Sequence, residues 1–107
     1  ASIEFMSFLS LKDEVPNLED IVLGKDVEVP DSGGICYATI CALVTVIKEA
    51  PESKVGSYFT NGVEFVKKFP TPEFGIFFVR SVIGSRPDLK ESSTYGEFKV
   101  ENSDLEV

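Results

Sequence analysis

Cys36 and Cys41 are the side chains here best suited to nucleophilic or metal chemistry, and both lie inside an apolar run. Zinc requires four ligands, and the chain has no histidine to complete such a set. A redox pair places two residues between its cysteines, whereas four separate these. Both are therefore read as buried thiols that behave as small hydrophobes. The missing histidine also removes the usual general base near neutral pH. It closes the Ser-His-Asp and Cys-His arrangements unless a second chain completes them. Asp13/Glu14 and Glu19/Asp20 are adjacent acids whose side chains diverge on a helix or a strand, as on a solvated face. Ser32-Gly33-Gly34 has the glycines of a phosphate loop, but Ile35 and Cys36 stand where lysine and a hydroxyl residue are required. Arg80 and Arg86 are not grouped with other cations. The expectation is a chain with no catalytic residue, no metal and no cofactor: not an enzyme.

Nine phenylalanines and 43% hydrophobic residues in 107 positions are enough for a packed core. Ala1–Phe5 reads as an expression scar ahead of a start methionine at Met6. A chain of this length is one domain that buries roughly 65% of its unfolded surface. The net charge of −8 and the scattered lysines exclude nucleic acid as the main partner, because phosphate binding needs clustered cations. An anionic membrane surface repels the chain for the same reason. The longest apolar run, Ile35 to Ile47, falls short of the roughly 20 residues that span a bilayer. Met6 to Leu11 lacks the basic start of a signal peptide. The expected location is cytoplasmic, in a host cell if the chain is viral.

The elements that must position these residues follow from periodicity and turn chemistry. Asn17 can cap a helical turn that Gly24 ends, and the same spacing suits an extended arm. Lys25 to Val29 alternates polar and apolar residues, and Pro30-Asp31-Ser32-Gly33-Gly34 is concentrated turn chemistry. A β-hairpin over about Asp26 to Tyr37 is expected. Ile40, Leu43, Val44 and Ile47 then fall on one helical face, so a helix is expected from Ile40 to Glu49, with a strand as rival. Pro51 to Phe69 is read as helix broken at Asn61-Gly62, the rival being a hairpin about that dipeptide. Thr71-Pro72-Glu73 opens the clearest helix, which Gly84 stops. Residues 90–107 lose hydrophobicity and read as an acidic, flexible tail. The expected architecture is thus α+β: a mostly helical domain over 6–89 with an N-terminal β-hairpin, followed by that tail.

Aromatic density is the chain's most concentrated feature. Phe65, Phe69, Phe74, Phe77 and Phe78, with Val82, form a stripe around Pro70 and Pro72. Such a stripe fills a core, or part of it stays exposed to take an apolar helix from a partner or a second copy. The site expectation is a partner-binding surface on these six residues.

One ordered pattern resembles a known family. It comprises Met6-Ser7-Phe8-Leu9, Lys25-Asp26-Val27-Glu28-Val29-Pro30 and the turn Ser32-Gly33-Gly34. An amphipathic helix through Leu43-Val44 to Ala50-Pro51 follows, then helical segments reaching Val79 to Ile83. Across roughly Met6 to Leu89 this is similar to the small tail assembly chaperones of long-tailed bacteriophages. The continuous run Cys36 to Ile47 departs from that pattern at the helix start. The resemblance implies a mostly helical fold, self-association, and binding along the tape-measure protein to keep it soluble during tail assembly. It also implies a longer frameshifted product. Two other readings fit the acidic surface: an anti-defence or immunity-type protein that blocks a basic site on a toxin or nuclease, and a structural tail or capsid component.

Overall fold

The computed structural model describes residues 15–102, and the expected scar and the acids Asp13 and Glu14 lie outside them. Among the described residues there are five α-helices: α1 Leu18–Val22, α2 Gly33–Glu49, α3 Glu52–Val66, α4 Pro72–Ser85 and α5 Ser93–Glu101. A 3-10 turn, Pro87–Glu91, joins α4 to α5. Helices α2, α3 and α4 each pack on the other two, α1 packs on α2 and α3, and α5 lies on α3.

There is no strand among the described residues, so the expected N-terminal β-hairpin, and with it the α+β class, is corrected to all-α. The first arm, Lys25 to Pro30, has no regular secondary structure and pairs with nothing in a sheet. The second arm is helix. Ser32 takes the extended geometry of an N-cap (φ −89°, ψ 132°), and Gly33 and Gly34 form the first turn of α2. The inward residues Cys36, Ile40, Leu43 and Ile47 are fully buried at i, i+4, i+7 and i+11. The helical period therefore begins at Cys36, one turn before the point where the sequence makes it plain. In a strand Ile35 and Tyr37 would share a face; in α2 Cys36 points into the core and Tyr37 is 53% exposed. Thr39, the residue before the expected helix start, sits inside α2 and donates its hydroxyl to Ile35 O at 2.7 Å.

Asn17 caps α1 as expected, its Oδ1 accepting from Glu19 N at 3.0 Å. Gly24, at φ +78°, ends it in a left-handed turn. Gly24 N donates to Ile21 O and Lys25 N to Asp20 O, closing the helix end with the paired bonds of a glycine-terminated helix.

The expected break at Asn61-Gly62 is absent, and α3 runs through it. Both residues serve contacts between helices. Asn61 Nδ2 donates to Val22 O at 2.8 Å, satisfying a carbonyl at the end of α1. Gly62 lets Phe78 approach so closely that a Cβ there would lie 2.8 Å from the ring tip. Helix α4 begins at Pro72, as its Thr-Pro-Glu start predicts, and runs one residue past Gly84.

Residues 90–101 are ordered structure where a flexible tail is expected. Leu89, Tyr95 and Phe98 are buried, Ser92 Oγ accepts from Thr94 N, and the Thr60 and Thr94 hydroxyls meet at 2.7 Å. Three well-spaced apolar side chains dock this segment, although its average composition is polar.

Candidate functional site

The six residues of the expected binding stripe do not form one surface. Phe65, Phe69, Phe78 and Val82 are buried in the core. Phe59 and Phe78 pack with centroids 6.4 Å apart, while Phe65, Phe69 and Phe74 make an edge-to-face series at 5.4 and 5.8 Å. These rings hold α3 to α4. Phe74 and Phe77 are half-buried. Phe77 alone leads toward a candidate surface, because it stacks on the exposed ring of Tyr37 with centroids 5.1 Å apart.

That surface is the outer face of α2. From Gly33 to Ile47 the chain carries no charged residue over fifteen positions. A helix with one side in a core and the other in water normally has charge on its wet side. Helices α3, α4 and α5 follow this rule with Glu52, Lys54 and Glu64, with Glu73 and Arg80, and with Glu97, Lys99 and Glu101. Helix α2 does not follow it, yet Tyr37, Cys41 and Thr45 are exposed.

A groove of about 630 Å³ lies along this face. Its floor is Gly34, Ala38, Cys41, Ala42 and Thr45, a run of small side chains at helical spacing, with Val46 at one end. Tyr37 forms one side, and Val15, Pro16 and Leu18 before and within α1 form the other. The Thr45 hydroxyl turns back to Cys41 O at 3.2 Å, so it offers little to a polar ligand. The groove is therefore suited to apolar shape, with room for the backbone of a helix to come close to α2.

Pro16 also lines a shallower second groove, with Val27, Glu28, Val29, Asp31 and Ile35. The apolar face thus runs on into an acidic end. Residues 15–31 hold five acids, Glu19, Asp20, Asp26, Glu28 and Asp31, against one cation, Lys25. That cation is already paired with Asp20 at 3.6 Å.

The two cysteines separate by environment. Cys36 is fully buried with Sγ 3.4 Å from Pro30 O, and burial, with a smaller effect of the Asp31 carboxylate, pushes its thiol pKa up. Cys41 is free and exposed at the floor of the groove, which corrects its expected burial. Among the described residues no group of His, Cys, Asp or Glu is placed to hold a metal ion, and no helix is long and apolar enough to cross a membrane.

Tyr37, Cys41 and Thr45 lie outside the expected aromatic stripe and are exposed. The sequence signal for this face is the absence of charge from Gly33 to Ile47, not phenylalanine content. Comparison with known protein families, curated proteins and solved structures finds no match, so the functional reading rests on these residues.

Proposed function

We propose that the protein is a binding and assembly factor that lays an apolar helical segment of a partner protein along the outer face of α2. In its specific form this is the role of a phage tail assembly chaperone in the host cytoplasm, holding the tape-measure protein soluble until the tail tube polymerises. The observation that carries the reading is the uncharged α2 face with its small-residue floor on a molecule of net charge −8. A holder of an apolar rod needs such a face for contact and a charged remainder to stay dissolved. Self-association belongs to the same reading, and it leaves the α2 groove free for the client. The acidic end at residues 15–31 favours a second reading, an antagonist of a basic site on a toxin or nuclease.

The test is the solubility of an apolar tape-measure-like helical peptide, followed by light scattering with increasing protein. The expected result is suppression of aggregation near equimolar protein, lost in Ala42→Lys, which places a charge on the groove floor while the fold stays intact by circular dichroism. Unchanged aggregation at excess protein would overturn the proposal. Tight binding to a basic nuclease by both the wild-type protein and Ala42→Lys would favour the antagonist.

A further inference from the structure

The α2 groove and the acidic surface beside it are continuous. They meet at Pro16, which lines both grooves, and together they define more than an apolar slot. From Gly34 to Val46 the apolar floor is about 18 Å long at 1.5 Å per residue, which accommodates about three turns of a helix. No charge occurs anywhere along that length. Beyond Pro16 the surface carries Glu28 and Asp31, both exposed, and the neighbouring Asp26. Among the described residues the nearby cation is Lys25, and it is engaged by Asp20. The face is therefore polarised: neutral and apolar over three turns, then anionic at one end only.

We infer that the client segment is an amphipathic helix with lysines or arginines at one end, docked so that this end lies over Glu28 and Asp31. This deepens the proposed binding role and rests on it. Charge decides the occupant. A second copy of this chain would bring another net charge of −8 and set its own acids against Glu28 and Asp31, whereas a basic end gains from the same field. Shape sets the rest of the client. The floor of Gly34, Ala38, Cys41 and Ala42 leaves space for large aliphatic side chains at the client's i, i+3, i+4 and i+7 positions, which it could not do if the floor were itself bulky. The apolar turns supply affinity, and the basic end supplies direction and encounter rate.

Three synthetic helical peptides with one apolar face test this: Lys-Lys at one end, uncharged, and Glu-Glu at that end. Fluorescence anisotropy reports affinity, and protection of Cys41 from iodoacetamide reports placement, with buried Cys36 as the internal reference. Two exposed ion pairs predict about three- to tenfold tighter binding of the Lys peptide than the uncharged one at low salt. The Glu peptide should be weaker than both, and the differences should vanish at about 1 M salt, where the screening length is ~3 Å. The double variant Glu28→Gln/Asp31→Asn should lose the preference and keep its affinity for the uncharged peptide. Equal protection of Cys41 by all three peptides would overturn the charge inference and leave the binding role standing. Failure of every peptide to protect Cys41 would overturn both. Protection in the protein alone also overturns it. If that protection rises with concentration, the face belongs to a second copy; if it is independent of concentration, it belongs to the chain's own residues 1–14.

Discussion

Two glycines of one helix should respond to the same substitution with opposite sign. Gly56 and Gly62 both lie inside α3, where alanine is the better helix former by about 1 kcal/mol. At Gly56 a Cβ meets nothing within 4 Å, so Gly56→Ala should stabilise by close to that full amount. At Gly62 the Cβ would lie 2.8 Å from Phe78 Cζ and 3.5 Å from Ile47 Cδ1. Phe78 and Ile47 are both fully buried, so neither has open space into which to retreat. Overpacking of this kind costs about 1–3 kcal/mol. Subtracting the propensity gain leaves Gly62→Ala destabilising by about 1 kcal/mol, and the two variants about 2 kcal/mol apart. For a domain of about 100 residues, 1 kcal/mol corresponds to roughly 4–8 °C in Tm. Urea and thermal unfolding of the two single variants measure the difference directly. The double variant Gly62→Ala/Phe78→Leu, which shortens the ring, should recover part of the loss relative to Phe78→Leu alone. If Gly62→Ala raises Tm as much as Gly56→Ala, the close approach of α3 and α4 at this point is wrong.

Phe98→Ala should destabilise by about 3 kcal/mol, because the ring is buried against Gly75 and holds α5 in place; an unchanged unfolding midpoint would mean that α5 does not dock. Arg86→Ala should cost about 2 kcal/mol, since its guanidinium donates to Ile47 O at 3.2 Å and Ala50 O at 2.6 Å, carbonyls at the end of α2. Arg86→Lys should recover only part of this, because both bonds come from Nη1 at the tip of the guanidinium, a point the shorter lysine reaches less well, and full recovery would refute that geometric reading.

Helix α4 is legible in the sequence because its start uses local chemistry: Thr71-Pro72-Glu73 needs no tertiary partner to signal a helix. The start of α2 is not, because Gly33 and Gly34 carry turn chemistry whichever element follows, and Ile35-Cys36-Tyr37 is too short to distinguish period 2 from period 3.6. Asn61-Gly62 misleads for a different reason. Its strength as a turn signal is intrinsic, while its role here is set by Val22 and Phe78, 39 and 16 positions away. The order of residues 90–101 is invisible to composition because Leu89, Tyr95 and Phe98 act singly. The expected stripe is divided between core and surface for a related reason. Aromatic content reports how much apolar surface a chain has, and the distribution of charge reports which side of a helix remains without cover.

The segment from Lys25 to Pro30 belongs to no helix or strand. Its valines, Val27 and Val29, are half-buried and alternate with the exposed Asp26 and Glu28, the burial pattern of an edge strand. Such a pattern invites pairing with another extended chain. What discourages such recruitment is written into the alternate positions: Asp26 and Glu28 face outward, and Pro30 closes the run with a residue that has no N–H to offer. The acids at this end of the molecule therefore have a second consequence, as gatekeepers against aggregation of this segment.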